Sequence, residues 1–360
     1  MKNMWTKSCV TTGLIGIFIL FITLFTGPCF AQEKSFKPIM LKSAHFVTQA
    51  SFAGKLHQAW ADDLEKRTGG RVKIQIFWMG SLAKFEDMLQ TVQSGVADIG
   101  NISCQYTPSQ FPLHLLLDMP YNVGEDYYAS LMANRETQQK EPNLRAEIEK
   151  AGILSVYPHM SGQIMIGTKK CPESIKSLKG KTIRVLGAAR IKWMTDLGLN
   201  PVTMAFSDIY EAISRGTIDA AEMVFDLGDV FKLYEVAKCI TPTKAGNIIA
   251  AGGIMNLKAY KNLPKDTQEI IQNIFDEHAL RYAQGLKELE SSLRDKWTKQ
   301  SGVTFQSFSP EDTKMIIEVA NKVTESFIQK SEAEGHPAPK VWNYYMSARK
   351  RYEEQAAKKK

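Results

Sequence analysis

Phe85-Glu86-Asp87-Met88-Leu89, followed by Ser94-Gly95-Val96-Ala97-Asp98, returns later in the chain as Phe206-Ser207-Asp208-Ile209-Tyr210 and Arg215-Gly216-Thr217-Ile218-Asp219. Every matched pair is 121 residues apart. In each copy the Phe-x-Asp opening starts a helix, with its aspartate at the positive end of the helix dipole. The glycine closes that helix, and Asp98 or Asp219 leads into a strand. A similar strand pattern precedes each copy. Two copies of one α/β unit predict two related lobes, and a cleft between lobes is a preferred ligand site.

Outward from the first copy, Ile39 to Ala44 reads as a strand that leaves His45 and Phe46 at its carboxyl end. Phe52, Leu56, Trp60 and Leu64 recur every four residues up to Gly69-Gly70, a helix with its stop. Val72, Ile74 and Ile76 alternate with polar residues as a strand does, and Trp78-Met79-Gly80 begins the loop beyond. Phe111 to Tyr121 is apolar but broken by prolines, a packed connection. Ile153 to Tyr157 is a strand that aims Pro158 to Gln163 at the cleft, and Ile164 to Gly167 opens the second lobe. Between the copies, Lys181-Thr182-Ile183-Arg184-Val185-Leu186 is a short strand pattern with one arginine inside it. From Pro264 a 3-or-4 spacing runs from Ile271 to Trp297, a helix of roughly 50 Å, long enough to cross both lobes. Helical segments from Ser309 and from Val341 pack outside it, and Glu353 to Lys360 reads as a frayed polar end.

At the other end, Lys2 and Lys7, the apolar run Leu14 to Phe25 and Cys29-Phe30-Ala31 read as an export signal cleaved near Ala31. No later stretch approaches the ~20 apolar residues of a spanning helix, so a soluble, periplasmic chain is expected. The net charge of +7 includes the two leader lysines and the terminal Lys358-Lys359-Lys360, and no basic stripe with interleaved aromatics suggests nucleic acid. Of five cysteines, Cys9 and Cys29 belong to the leader. Cys104, Cys171 and Cys239 lack metal or redox spacing and cannot all pair internally; buried cysteines, with one bridge at most, are expected.

From about Ile39 to Phe308 the sequence resembles the solute-binding proteins of TRAP transporters, the DctP-like family named after C4-dicarboxylate binding. The residues that carry the resemblance are Thr68 to Val72, Ser94 to Gly100, Asp118-Met119-Pro120-Tyr121, Leu178 to Val185, Pro201 to Tyr210 and Tyr260 to Pro264. It implies an α/β, two-lobed periplasmic binding protein fold, with a ligand cleft between the lobes and a long C-terminal helix crossing both. On this reading residues 1–31 are signal, 36–160 with about 249–288 form lobe I, 161–248 with about 289–345 form lobe II, and 346–360 are a polar tail. The implied activity is capture of a small organic acid by lobe closure, as a monomer, and its delivery to a small and a large integral membrane subunit. No cofactor or metal is implied.

In the family the arginine of the Lys-x-Ile-Arg-Val motif pairs with the ligand carboxylate, and Arg184 matches it. A guanidinium offers two coplanar donors to a carboxylate and stays charged when buried. The second arginine that many relatives have near Ser161 to Met165 is absent, and Ala221-Glu222-Met223 stands where many have Gln-Glu-Asn. A less polar pocket is the consequence. Candidate lining residues are His45, Phe46, Trp78, Met79, Tyr106, Met160, Met204, Met223 and Phe225. Arg190 is a candidate for the missing charge, with a solvated helix face as its simpler reading. Asp226 is a candidate acceptor for a ligand hydroxyl or amine. The departure at Met223 to Asp226 makes that segment the expected seat of ligand choice.

An enzyme is the main alternative. Gly180-Lys181-Thr182 mimics the end of a P-loop, but Ile175 stands where its first glycine belongs and a strand follows where a helix is needed. Other nucleotide, hydrolase and zinc-protease motifs are missing, and His45, His57, His114, His159, His278 and His336 pair with no nucleophile or carboxylate by motif. A periplasmic hydrolase or lyase, and the binding component of an ABC transporter or sensor, are the competing readings.

Overall fold

The computed structural model describes residues 37–120, 126–247 and 252–358. The leader with its cleavage point, and Tyr121 of the Asp-Met-Pro-Tyr motif, lie outside these residues. The strands are β1 (Ile39–Ala44), β2 (Val72–Phe77), β3 (Ile99–Ile102), β4 (Ile153–Tyr157), β5 (Gln163–Thr168), β6 (Thr182–Arg184), β7 (Asn200–Val202), β8 (Ala220–Met223), β9 (Cys239–Asn247), β10 (Gly252–Asn256) and β11 (Thr304–Phe305). The helices are α1 (Phe52–Arg67), α2 (Met88–Gln93), α3 (Tyr127–Lys140), α4 (Pro142–Lys150), α5 (Ala188–Asp196), α6 (Ile209–Arg215), α7 (Phe225–Val230), α8 (Leu257–Lys261), α9 (Lys265–Ser301), α10 (Pro310–Ala333) and α11 (Ala338–Ala357).

Two sheets result, ordered β2-β1-β3-β10-β4 in lobe I and β11-β9-β5-β8-β6-β7 in lobe II. Their centres match. β1 lies parallel between β2 and β3 as β6 lies parallel between β7 and β8, and an antiparallel strand follows in each, β10 or β5. The sequence repeat is this common unit. Phe85–Asp87 and Phe206–Asp208 are both single 3-10 turns that run into α2 and α6. Gly95 and Gly216 end those helices at φ 77° and 76°, where a side chain would be strained. The carboxylate of Asp98 accepts the Lys42 N–H at 2.8 Å, and that of Asp219 accepts the Thr182 N–H at 2.9 Å. Each aspartate thus pins its strand's start to the neighbouring strand.

Both sheets carry apolar layers on their faces. Trp60, Leu64, Val72, Ile99 and Ile271 pack on one face of lobe I, and Met88, Val92, Phe111 and Ile254 on the other. In lobe II Ile183, Trp193, Ile316 and Val323 form one layer and Ile209, Ile213, Met223 and Trp297 the second. The chain crosses between lobes after β4, at residues 158–162, and again between β9 and β10. α9, about 55 Å long at 1.5 Å per residue, packs on α1, α3 and β4 of lobe I and on α7 and β11 of lobe II. Val47 and Ala53 of lobe I pack against Val224 and Leu227 of lobe II, so the cleft is closed. Cys171 and Cys239 form a disulfide within lobe II, and Cys104 keeps a buried thiol in lobe I.

The C-terminal boundary differs from the sequence reading. Residues 346–357 are not a tail but the second half of α11, which packs on α3 and on the turn His114–Asp118. Val341, Tyr345 and Ala348 are buried on one stripe, and the Tyr352 phenol donates to Glu136 at 3.0 Å. The charges of this segment occupy the opposite face, which made it read as solvated. α11 therefore belongs with lobe I, whereas α10 packs on α5 and β9 of lobe II. No helix among the described residues is long and apolar enough to cross a membrane.

Candidate functional site

Strand ends facing across the cleft build the site. Lobe I contributes Phe46 after β1, Ser103 after β3 and His159 after β4, with Phe85 from its repeat copy. Lobe II contributes Arg184 and Leu186 at the end of β6, Arg190 from α5, Phe206 from the second repeat copy, Glu222 from β8 and Leu227 from α7. Ser161 comes from the crossing segment. Phe85 and Phe206 are the same position of the repeat, so the internal symmetry delivers one phenyl ring from each lobe. Phe85 stacks on Phe46 with centroids 4.0 Å apart. The enclosed cavity is about 30 Å³, space for a water or two, so an organic acid must push these rings outward.

Arg184 is fully buried and sits over Phe206, its guanidinium carbon 4.3 Å from the ring centroid. Its Nε and Nη2 both donate to the Met204 carbonyl, at 3.0 and 2.8 Å. That carbonyl takes the two-donor edge a carboxylate would use. Burial pulls the pKa of Arg184 down, and the charge of Glu222 and the Tyr106 phenol oppose the shift. The ring of Tyr106, from lobe I, also meets Phe85 edge-on at 5.4 Å.

Arg190 is buried rather than solvated. Its Nε donates to the Leu186 carbonyl at 2.8 Å and lies 3.4 Å from Glu222 Oε2. Its Nη2 reaches Asp118 Oδ2 at 3.1 Å. Gln105 donates to the same oxygen at 2.7 Å, and a Cβ at Gly187, φ 96°, would overlap the Gln105 amide. Burial works against the charge on Arg190, but Asp118 and then Glu222 outweigh it and raise its pKa. Glu222 moves the opposite way from a salt-bridged acid: burial raises its pKa despite both arginines. Two guanidinium groups and two carboxylates thus share one buried cluster.

Several expected lining residues lie elsewhere. β8 is buried on both faces; Glu222 turns to the cleft, so Met223 one residue on turns to the lobe II core, where its sulfur fills the space beside Gly167. Phe225 lies tilted against Trp297 of α9 and stacks on Phe305, inside the same core. Met160 packs with Tyr127 and Tyr282 among the helices of lobe I. Met79 is 70% exposed at a left-handed turn, φ 56°. Trp78 lies behind the cleft against His45 and His57. Met204 enters the site through its carbonyl. Of the expected set the cavity wall takes Phe46, Arg184 and Arg190, with Tyr106 and the Met204 carbonyl on Arg184. Glu222, Phe85 and Phe206 were not among the expected site residues, although the repeat had already marked both phenylalanines.

Two buried polar groups flank the cavity. His45, His57 and His159 form a histidine cluster with His45 at its centre, its ring 5.3 Å from His57 and 6.3 Å from His159. Burial drives His45 well below the ordinary imidazole range, with His57 and His159 adding to it, and takes His57 to about 3 and His159 to about 4. These rings are neutral at pH 7. Asp226 is buried at the start of α7, and burial raises its pKa to about 7, with Glu290 adding repulsion. Glu290 itself accepts the Tyr127 hydroxyl at 2.6 Å and the Gln163 N–H at 2.9 Å. Among the described residues no cluster of three or more histidine, cysteine or acidic side chains is placed to hold a metal ion.

This architecture has known counterparts. The family model for bacterial extracellular solute-binding protein, family 7 (DctP) matches residues 43–331. The C4-dicarboxylate-binding periplasmic protein DctP of Rhodobacter capsulatus is 26% identical over 313 residues, 85% of this chain and 91% of that protein. A TRAP solute-binding protein from a marine metagenome, specific for aromatic acids and crystallised with 3-hydroxybenzoate, superposes with TM-score 0.79 at 20% identity, over 88% of this chain and 99% of that one. Another, from Rhodoferax ferrireducens with copurified benzoate, superposes with TM-score 0.78 at 21% identity, over 88% and 99%. The chain belongs to family 7 of the bacterial extracellular solute-binding proteins and is a solute-binding receptor, not an enzyme.

Proposed function

We propose that this receptor captures a small monocarboxylate with a flat, largely apolar body, closing its lobes on it in the periplasm and delivering it to the two membrane subunits of a TRAP transporter. The observation that carries the reading is Arg184, buried at the cleft over Phe206, with its two-donor edge turned to the neutral Met204 carbonyl. A ligand carboxylate is a stronger acceptor for that edge than a neutral carbonyl. Phe46, Phe85 and Phe206 supply faces for a planar body, the arrangement aromatic rings favour. Arg190 already has Asp118 and Glu222, so no second uncommitted cation lines the described cavity for a dicarboxylate. The solved relatives holding benzoate and 3-hydroxybenzoate agree with this class. The test is a thermal-shift panel of aromatic, alicyclic and C4-dicarboxylic acids on the purified protein. Stabilisation by ring monocarboxylates above succinate and malate is expected, and preference for the dicarboxylates would overturn the reading.

A further inference from the structure

Two atoms of the cleft have no hydrogen-bond partner among the described residues: Arg190 Nη1 and Glu222 Oε2. Both side chains are at least nine-tenths buried, both line the cavity, and they lie together, with Glu222 Oε2 3.4 Å from Arg190 Nε. A buried donor and a buried acceptor each cost free energy when unmatched, more so when charged. The one lacks an acceptor and the other a donor, on two side chains that line the same cavity and approach within 3.4 Å through Arg190 Nε.

A single small group that reaches both would satisfy both. A hydroxyl donates its proton to the carboxylate and accepts from the guanidinium through a lone pair, and a lactam does the same with its N–H and C=O. An ether or a ketone accepts only and leaves Glu222 unmatched. An ammonium donates only and leaves Arg190 unmatched. A second carboxylate would accept from Arg190 but face Glu222 with like charge.

We propose that Arg190 and Glu222 form a second ligand subsite that reads a hydroxyl or lactam group, so that the ligand is a hydroxy- or lactam-bearing monocarboxylic acid whose carboxylate lies on Arg184. This rests on the monocarboxylate reading above and narrows it. Glu222 sets specificity through acceptance, and Asp118 with Gln105 is a positioning pair that holds Arg190 in place.

The experiment measures affinity by calorimetry for matched series on the intact mature protein: benzoate, its three monohydroxy isomers and 3-methoxybenzoate; phenylacetate, mandelate and 3-hydroxyphenylacetate; cyclopentanecarboxylate and pyroglutamate. At least one hydroxyl- or lactam-bearing member should bind about tenfold or more tighter than its unsubstituted parent, with the methoxy compound losing that gain. In Glu222→Gln the ratio of substituted to parent affinity should fall toward one, because an amide no longer presents a full acceptor charge. Parents binding as well as every substituted partner would overturn the subsite, as would an undiminished ratio in a Glu222→Gln protein that melts as the wild type does. Should that variant fail to fold, the wild-type series still decides, together with a structure of the tightest complex, in which a polar group of the ligand must reach both Glu222 and Arg190. Arg184→Ala separates the two ideas. Loss of parent and substituted acids alike supports the carboxylate anchor, and no response to any acid in the wild type overturns the anchor and the subsite with it.

Discussion

Arg190 on α5 of lobe II places Nη2 3.1 Å from Asp118 Oδ2, on the turn that packs against α11, and both side chains are buried. The pair ties lobe II to a turn of lobe I, and Gln105 gives the carboxylate a second donor. Burying two charges is costly, so such a pair adds little net stability when intact. Breaking it is a different matter, because the remaining charge stays buried without its partner.

Asp118→Asn should therefore lower the unfolding free energy by about 3 kcal/mol, read by urea denaturation. Replacing both partners, Asp118→Leu with Arg190→Met, should cost less than the sum of the two single losses, since neither member of that pair is left facing an absent one, although Glu222 then keeps, among the described residues, only the Arg184 guanidinium as a charged neighbour. A double variant as unstable as the sum of its parts would show that the two residues do not act as a pair.

Arg184→Ala should weaken binding of any carboxylate ligand by roughly 2–5 kcal/mol, the usual cost of truncating one side of a buried charged pair. Arg184→Lys should recover only part of that loss, because an ammonium cannot offer two coplanar donors. Calorimetry on both variants checks the order. Equal affinity for Arg184→Lys and wild type would mean that charge alone matters there.

How much of this was legible in the chain depends on whether a signal was local. The 121-residue repeat and its glycines foretold two lobes, because left-handed helix ends and the Asp98 and Asp219 strand pins need only a few neighbouring residues. Arg184 was marked by the Lys-x-Ile-Arg-Val resemblance and not by its strand, where Thr182 and Arg184 alternate with Ile183 and Val185 as in any half-exposed strand. Met223 was expected in the lining and Glu222 was not singled out, since a four-residue strand buried on both faces carries no alternation to say which face meets the cleft. Phe225 was misplaced for another reason: its partner Trp297 arrives on α9, far along the sequence. The Asp118 partner of Arg190 is likewise 72 residues away.

Asp226 gives the fold a pH signature whose sign can be worked out. Its pKa is raised from an ordinary carboxylate value to about 7, burial being the main cause, so the folded state holds its proton more tightly than the unfolded chain. Stability from this group is highest below its unfolded pKa of about 3.9 and is lost as pH rises toward 7. Asp226→Asn keeps an acceptor for the Leu227 N–H but cannot ionise. It should stabilise the protein by about 1–3 kcal/mol at pH 8, with a gain that shrinks toward zero near pH 4. Paired urea titrations across that range test it, and a gain independent of pH would assign the effect to packing instead.

Gly162 lies on the crossing between β4 and β5, where a Cβ would overlap the Glu290 carboxylate. That carboxylate is held by the Tyr127 hydroxyl and the Gln163 N–H, so it cannot retreat without breaking one of them. Gly162→Ala should cost about 1–3 kcal/mol, the usual range for overpacking a filled site. The clash is with one side chain, so shortening that side chain should remove it. In a Glu290→Ala background the same glycine substitution should cost much less, giving a coupling energy of at least about 1 kcal/mol in a double-mutant cycle. Because the segment joins the lobes, Gly162→Ala should also weaken ligand binding, which requires the cleft to close around the acid. Additive stability losses in the cycle would show that Gly162 is needed for its backbone and not for the space it leaves to Glu290.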